Sequence, residues 1–137
     1  MQISKSNVIT SRGILVVIKP VGKITLGEGT MLFRNEVKEA LEYSEKPAGI
    51  ILNFSDINYI DSSGIGVMVS SYTMISNGRV PCSVTNLTKK IDELLHATKL
   101  WTVFPVFTTE EDAVEDFEKN GFFSRPYDGD PSPYAWN

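Results

Sequence analysis

The sequence predicts a single α/β domain on a mixed, mostly parallel sheet of about five strands with about four helices. Three observations carry this. There are continuous apolar runs of strand length, there are segments with apolar residues at helical spacing, and the two kinds alternate between turn and cap signals. A length of 137 residues suits one buried core and is short for two.

In chain order, an N-terminal stretch precedes "GILVVIK" (13–19), a β-branched and aliphatic run, and the two are expected to pair antiparallel across "TSRG". "GEGTMLFRNEVKEALEYSEK" then puts Phe33, Val37, Ala40 and Leu41 on one helical face and Arg34, Lys38, Glu42 and Glu45 on others. "AGIILNF" (48–54) is apolar at consecutive positions, as a central strand covered on both faces requires. Ile65, Met68, Val69, Tyr72 and Ile75 recur at helical spacing, and Asn77 with Gly78 supplies a stop. "VPCSV" is the next strand. "NLTKKIDELLHATK" predicts a short helix capped by Thr88, with Ile91, Leu94 and Leu95 buried. "WTVFPVFTT" predicts a last strand, which Pro105 places at an edge or breaks. "TTEEDAVEDFEKNG" predicts a final helix with Thr109 as cap, acids in its first turn, and Ala113, Val114 and Phe117 on one face before Gly121. The domain is expected over residues 1–123. The tail, 124–137, falls within "FFSRPYDGDPSPYAWN", which holds three of the seven prolines and reads as extended. Tyr127, Tyr134 and Trp136 are candidates to dock on the domain or on another subunit, so the tail permits a homodimer.

Composition removes several function classes. With 42% hydrophobic and 22% charged residues the chain is of soluble globular type. A net charge of -4, without a run of Lys or Arg, argues against nucleic-acid binding. No apolar stretch approaches the roughly 18 residues of a membrane span, and the N-terminus lacks a signal-peptide core, so a cytoplasmic location is expected. The lone Cys82 reads as a small buried side chain, and the lone His96 as a residue favoured at a helix C-terminus; neither suggests a metal site, and no cofactor is expected.

Functional groups in such sheets collect at strand carboxyl ends and at the starts of the following helices. "NYIDSSGIGVMV" (58–69) lies at one of these places. Asp61, Ser62 and Ser63 are all favoured N-cap types. Gly64 and Gly66 fall in the first helical turn, where each costs about 1 kcal/mol relative to alanine. A neighbour pressed close to the backbone, whether a strand or a partner, would explain them. A serine hydrolase is disfavoured: the G-x-S-x-G pattern is absent, with Ile60 and Asp61 two residues before Ser62 and Ser63. "VGKIT" lacks the first glycine of a phosphate loop, Val17 standing there, and the Gly27-Glu28-Gly29 run lacks the third glycine of a dinucleotide fingerprint. Glu28 and Thr30 begin the first long helix and are candidates for a protein-binding surface. A phosphoacceptor fits best, because a phosphoserine at a helix start meets free N–H groups and the positive end of the dipole. One serine can offer its hydroxyl to the backbone in one state and carry phosphate in the other, which makes capping and phosphorylation compatible.

The segments "GIILNFSDINYIDSSGIGVMVSSYTMI" and "VTNLTKKIDELLHATKLWTVFPVFTTEEDAV" resemble a STAS domain, specifically the bacterial anti-sigma factor antagonist family, over most of 13–117. The resemblance implies a STAS-type fold and a regulatory protein without enzymatic activity. It implies that Ser62, directly after Asp61, is phosphorylated by an anti-sigma factor that is also a serine kinase, with Ser63 second in line, and that a PP2C-type phosphatase reverses this. The unphosphorylated form would bind the anti-sigma factor and free a sigma factor for transcription. Partner-binding residues are then Asp61, Ser62, Ser63, Gly64, Gly66, Glu28 and Thr30. The loop "ITLGEGT" departs from the family: Leu26 and Gly27 stand where an acidic pair is common, the carboxylate moves to Glu28, and Thr30 aligns with a family threonine. The alternative is a non-switched STAS scaffold, or an accessory subunit of a lipid transporter or signalling assembly.

Overall fold

A computed structural model describes residues 2–42 and 45–124. In chain order its strands are β1 (Gln2–Thr10), β2 (Gly13–Ile24), β3 (Gly49–Asn53), β4 (Ile57–Ile60), β5 (Cys82–Thr85) and β6 (Val106–Phe107). The helices are α1 (Glu28–Glu42), α2 (Ser62–Asn77), α3 (Lys89–Ala97) and α4 (Glu110–Asn120). They form one sheet in the order β1-β2-β3-β5-β6, with β4 also paired to β2. Only β1 runs antiparallel to its neighbour, through the predicted hairpin with Thr10 opposite Gly13.

Alternation along the central strands sorts side chains into two cores. Ile18, Ile50, Leu52 and Val84 face α1, α2 and α3, where Phe33, Val37, Met68, Ile75, Ile91 and Leu95 meet them. Leu15, Val17 and Ile51 face the other way, onto Ala113 and Phe117 of α4. Every residue of β3 is buried, as its unbroken apolar run requires. The hairpin tip is latched to the end of α4. Ser11 N and Oγ each donate to the Glu118 carboxylate at 2.9 Å, and Arg12 Nε donates to the Glu118 carbonyl at 2.8 Å.

Thr88 and Thr109 cap α3 and α4 as predicted, their hydroxyls accepting from Ile91 N and Asp112 N. Three features differ from the sequence reading. First, β4 is an additional strand. After β3 the chain turns at Phe54–Asp56, closed by Ile57 N donating to the Phe54 carbonyl at 3.2 Å, and resumes alongside the far end of β2. Secondly, the last strand shrinks to Val106–Phe107, because "LWT" (100–102) coils into a 3₁₀ turn behind a left-handed Lys99 at φ 60°. Leu100, Trp101 and Val103 pack against the α3-side core instead of lining a strand. Pro105 still marks the ladder's start: its carbonyl accepts from Val84 N at 2.9 Å, and β6 is an edge strand. Thirdly, α2 stops where predicted, but the left-handed residue is Arg79 at φ 61°, while Gly78 sits at φ -75°.

Phe123 closes the α4-side core, 5.3 Å from Phe117 and 6.2 Å from Phe107 between ring centroids. Ser124 N donates to Asp116 at 2.7 Å. The expectations for Tyr127, Tyr134 and Trp136 lie outside the described residues.

Candidate functional site

Four segments converge at the carboxyl end of the sheet: the end of β2, the loop into α1, the end of β4 and the start of α2. β4 makes this possible. Ile24 pairs with Ile60, and Asp61 N donates to the Ile24 carbonyl at 3.3 Å, so the chain enters α2 directly beside the end of β2.

Asp61 is the N-cap, with extended backbone at φ -103°. Its Oδ1 accepts from Gly64 N at 2.8 Å and its Oδ2 from Leu26 N at 3.1 Å. One carboxylate therefore caps α2 and pins the loop leading to α1. These N–H donors, Gly64 first and Leu26 second, hold the Asp61 carboxyl below the usual aspartate range. The open choice among three capping residues is thereby decided, and the dual use of a serine hydroxyl is corrected: Asp61 caps, and no serine does. The reason lies in valence, since a carboxylate has two oxygens to satisfy donors from two segments.

Ser62 is then the first residue of α2 and is exposed. Among the described residues its hydroxyl has no hydrogen-bond partner. Ser63 is half-buried and lines a groove of about 270 Å³ between α1 and α2, with Thr30, Met31, Arg34, Val67 and Ser70. The two glycines separate in role. Gly64 is buried, and a Cβ there would lie 2.2 Å from the Ile24 carbonyl oxygen and 2.5 Å from Ile60 Cγ1, so the neighbour pressed against it is β2. Gly66 is exposed, and a Cβ there would meet nothing within 4 Å.

Thr30 Oγ1 donates to the Gly27 carbonyl at 3.0 Å, fixing the first turn of α1 around Gly27 at φ 103°. Thr30 and Ser63 thus share the groove. Glu28 does not: it lines a separate depression with Val21, Lys23, Leu26 and Asn58. Sequence reasoning noted Leu26 only as a departure from the family's acidic pair, missed Met31 and left Arg34 as an ordinary polar-face residue; Leu26 and Met31 are 79% and 65% exposed and flank this region. Met31 lies off the Phe33–Val37–Ala40 stripe, a signal available from helical spacing.

His96 is engaged elsewhere. Its Nδ1 donates to the Asp92 carbonyl at 2.9 Å, and its ring stacks on Trp101 with centroids 5.6 Å apart. Cys82 is buried, which pushes its thiol far above the ordinary range. Among the described residues no group of three His, Cys, Asp or Glu side chains is arranged to hold a metal, and no helix is long and apolar enough to cross a membrane.

The STAS domain family model matches residues 5–113. An anti-sigma F factor antagonist from Paenibacillus polymyxa is 25% identical over 107 residues, 78% of this chain and 89% of that protein. The crystal structure of a Thermotoga maritima protein assigned as an anti-sigma factor antagonist superposes with a TM-score of 0.69 at 25% identity, covering 82% of this chain and 92% of that one. The phosphorylated form of the Bacillus cell fate determinant SpoIIAA superposes with a TM-score of 0.58 at 20% identity, over 82% of this chain and 97% of that one. With the family model spanning most of its length and the same fold in these relatives, the chain belongs to the STAS domain family.

Proposed function

We propose that this chain is an anti-sigma factor antagonist of the cytoplasm, a binding module without catalysis of its own, switched by phosphorylation of Ser62. The observation that carries the proposal is the division of labour at the start of α2: Asp61 supplies the cap, and Ser62 presents an unengaged hydroxyl to solvent in the first turn. A phosphate can be added there without removing any hydrogen bond that holds the fold. The names of the Paenibacillus relative and of phosphorylated SpoIIAA support the same direction. Activation as a nucleophile lacks support, because His96 is held by Asp92 and Trp101.

The unphosphorylated face offers what a protein partner needs: exposed Leu26 and Met31 as apolar anchors, beside Thr30, Ser62, Ser63 and the open backbone at Gly66. Asp61 and Gly64 shape that face from beneath, and Glu28 lies at its margin. The partner is an anti-sigma factor that phosphorylates Ser62, and a PP2C-type phosphatase restores the hydroxyl. A phosphate brings about -1.5 to -2 charges, and desolvating or opposing that charge under a docked partner costs several kcal/mol. A cost of about 3 kcal/mol weakens binding roughly a hundredfold.

The test is incubation with an anti-sigma kinase and ATP, followed by intact-mass spectrometry and titration calorimetry. Wild type should gain one phosphate and Ser62→Ala none, while Ser62→Asp should bind the anti-sigma factor far more weakly than Ser62→Ala. Phosphate retained on Ser62→Ala would move the acceptor to Ser63. Equal affinity of Ser62→Asp and Ser62→Ala would overturn the switch and favour a constitutive scaffold.

A further inference from the structure

β1 is the outermost strand of the sheet, and among the described residues no strand pairs with its far side. Such edges are normally blunted by charges, prolines or bulges. This one spans 9 residues, contains no proline, and keeps an unshifted register with β2 from Gln2 opposite Val21 to Thr10 opposite Gly13. Its single charge, Lys5, is turned toward α1, with Nζ 2.8 Å from Glu36 Oε2 and 3.6 Å from Glu39 Oε1.

The two-residue connection makes Thr10–Gly13 the hydrogen-bonded closing pair of the hairpin. Alternation then commits the backbone groups of the even-numbered β1 residues to β2. Ile3, Lys5, Asn7 and Ile9 direct theirs outward. These four also share the α1-side face, on which Ile3 packs into the core while Ile9 remains 84% exposed.

We propose that a second copy of this chain pairs antiparallel along β1, about a two-fold axis through Ser6. In that register Ile3 of one copy stands opposite Ile9 of the other, and Lys5 stands opposite Asn7. Both are outward-bonding pairs, so the ladder and the pleat are satisfied together, and the exposed Ile9 covers Ile3 of its partner. The neighbouring symmetric registers are worse. An axis through Lys5 opposes two ammonium groups, and one through Asn7 sets Lys5 against Ile9 and leaves Ile3 beyond the ladder. The chain's own segment 125–137 is a poor occupant, because Pro126, Pro131 and Pro133 lack ladder donors. Pairing of one strand buries less than a standard interface, so the dimer exchanges with monomer.

Sedimentation velocity of the full chain should show weight-average mass rising toward the dimer as protein increases to about 0.1 mM, the range of a weak interface. Ile9→Lys and Asn7→Pro should both stay monomeric with unchanged melting; the proline removes an outward N–H and leaves the β1–β2 bonds intact. Ser6→Cys fixes the register. It faces itself in a non-hydrogen-bonded pair with Cα atoms about 4.5 Å apart, and should oxidise to a disulfide-linked dimer. Ser4→Cys, opposite Val8, should not. The proposal is overturned by a monomer at every concentration, by a dimer that survives both β1 variants, or by equal cross-linking of Ser4→Cys and Ser6→Cys. It is also overturned if dimers form only after removal of 125–137, which would assign the edge to that segment.

Discussion

Replacing Gly64 by alanine tests the packing that positions the site. The added methyl would sit 2.2 Å from the Ile24 carbonyl oxygen, 2.5 Å from Ile60 Cγ1 and 3.1 Å from the Ile24 carbonyl carbon. Ordinary contacts for such a methyl are over 3.4 Å, so the overlap with the oxygen exceeds ~1 Å. A flexible side chain could swing aside, but the principal obstacle is strand backbone, and Ile24 O also accepts from Asp61 N. Relief requires α2 to move off β2, loosening that bond and the Asp61–Leu26 contact. Overpacking costs about 1–3 kcal/mol and a weakened hydrogen bond about 1 kcal/mol more. Improved helix propensity returns about 1 kcal/mol. The net loss is about 1–3 kcal/mol, a fall of roughly 3–10 °C in Tm for a domain of this size. Gly66→Ala is the matched control. With nothing within 4 Å of its methyl, it should keep the propensity gain and melt about 2–4 °C above wild type. Urea and thermal melts followed by circular dichroism decide the matter. A Gly64→Ala midpoint equal to or above that of Gly66→Ala would refute the close approach of β2 to α2.

Asp61→Asn replaces one acceptor oxygen by a donor, so it cannot serve both Gly64 N and Leu26 N; its urea midpoint should fall. Because the native carboxyl is depressed, Asp61 stabilises the fold above the unfolded pKa of about 3.9 and loses that contribution as pH falls through the lower native value, so the wild-type advantage over Asp61→Asn should shrink in acid. Asp92 runs the other way: burial raises its carboxyl to about 6, partly offset by His96, so native protein holds the proton longer than unfolded chain. Its contribution to stability should fall between about pH 4 and pH 6 and then level off, and Asp92→Asn should flatten that slope in pH-dependent melts; an identical slope in both proteins would contradict the burial argument.

Much of this architecture was legible because single segments determined it. The runs at 13–19 and 48–54 have no amphipathic alternative to a covered strand, and Thr88 and Thr109 stand directly before helical stripes, where a hydroxyl is worth most. What escaped depends on contacts between segments. β4 is four residues long with only Ile57 and Ile60 buried, and it is a strand because the end of β2 lies beside it. "WTVF" has β-forming composition, yet its apolar groups are better buried by coiling back onto the α3 side. The capping residue was ambiguous for a similar reason. Asp and Ser are equally good local caps, and what selects Asp61 is a second donor, Leu26 N, arriving from 35 residues away. The exposure of Leu26 is likewise invisible to periodicity, since it follows a strand and precedes a helix and belongs to the pattern of neither.

The identity of the cap constrains how a switch at Ser62 can work. Had a serine capped α2, phosphorylation would remove the cap and the modified protein would have to rebuild its helix start. With Asp61 in that role, both oxygens remain on Gly64 N and Leu26 N whether or not Ser62 carries phosphate, and the loop into α1 stays pinned. The phosphate then stands beside a carboxylate that its donors keep ionised. On the proposed reading, the change is in displayed charge and bulk, and the energy that separates the two states is drawn from the partner interface. Phosphorylated and unphosphorylated protein should therefore give superimposable circular dichroism and amide spectra away from 61–66, while differing strongly in affinity for the anti-sigma factor. A global spectral change on phosphorylation would show instead that the Asp61 bridge is broken, and that the signal travels through the fold.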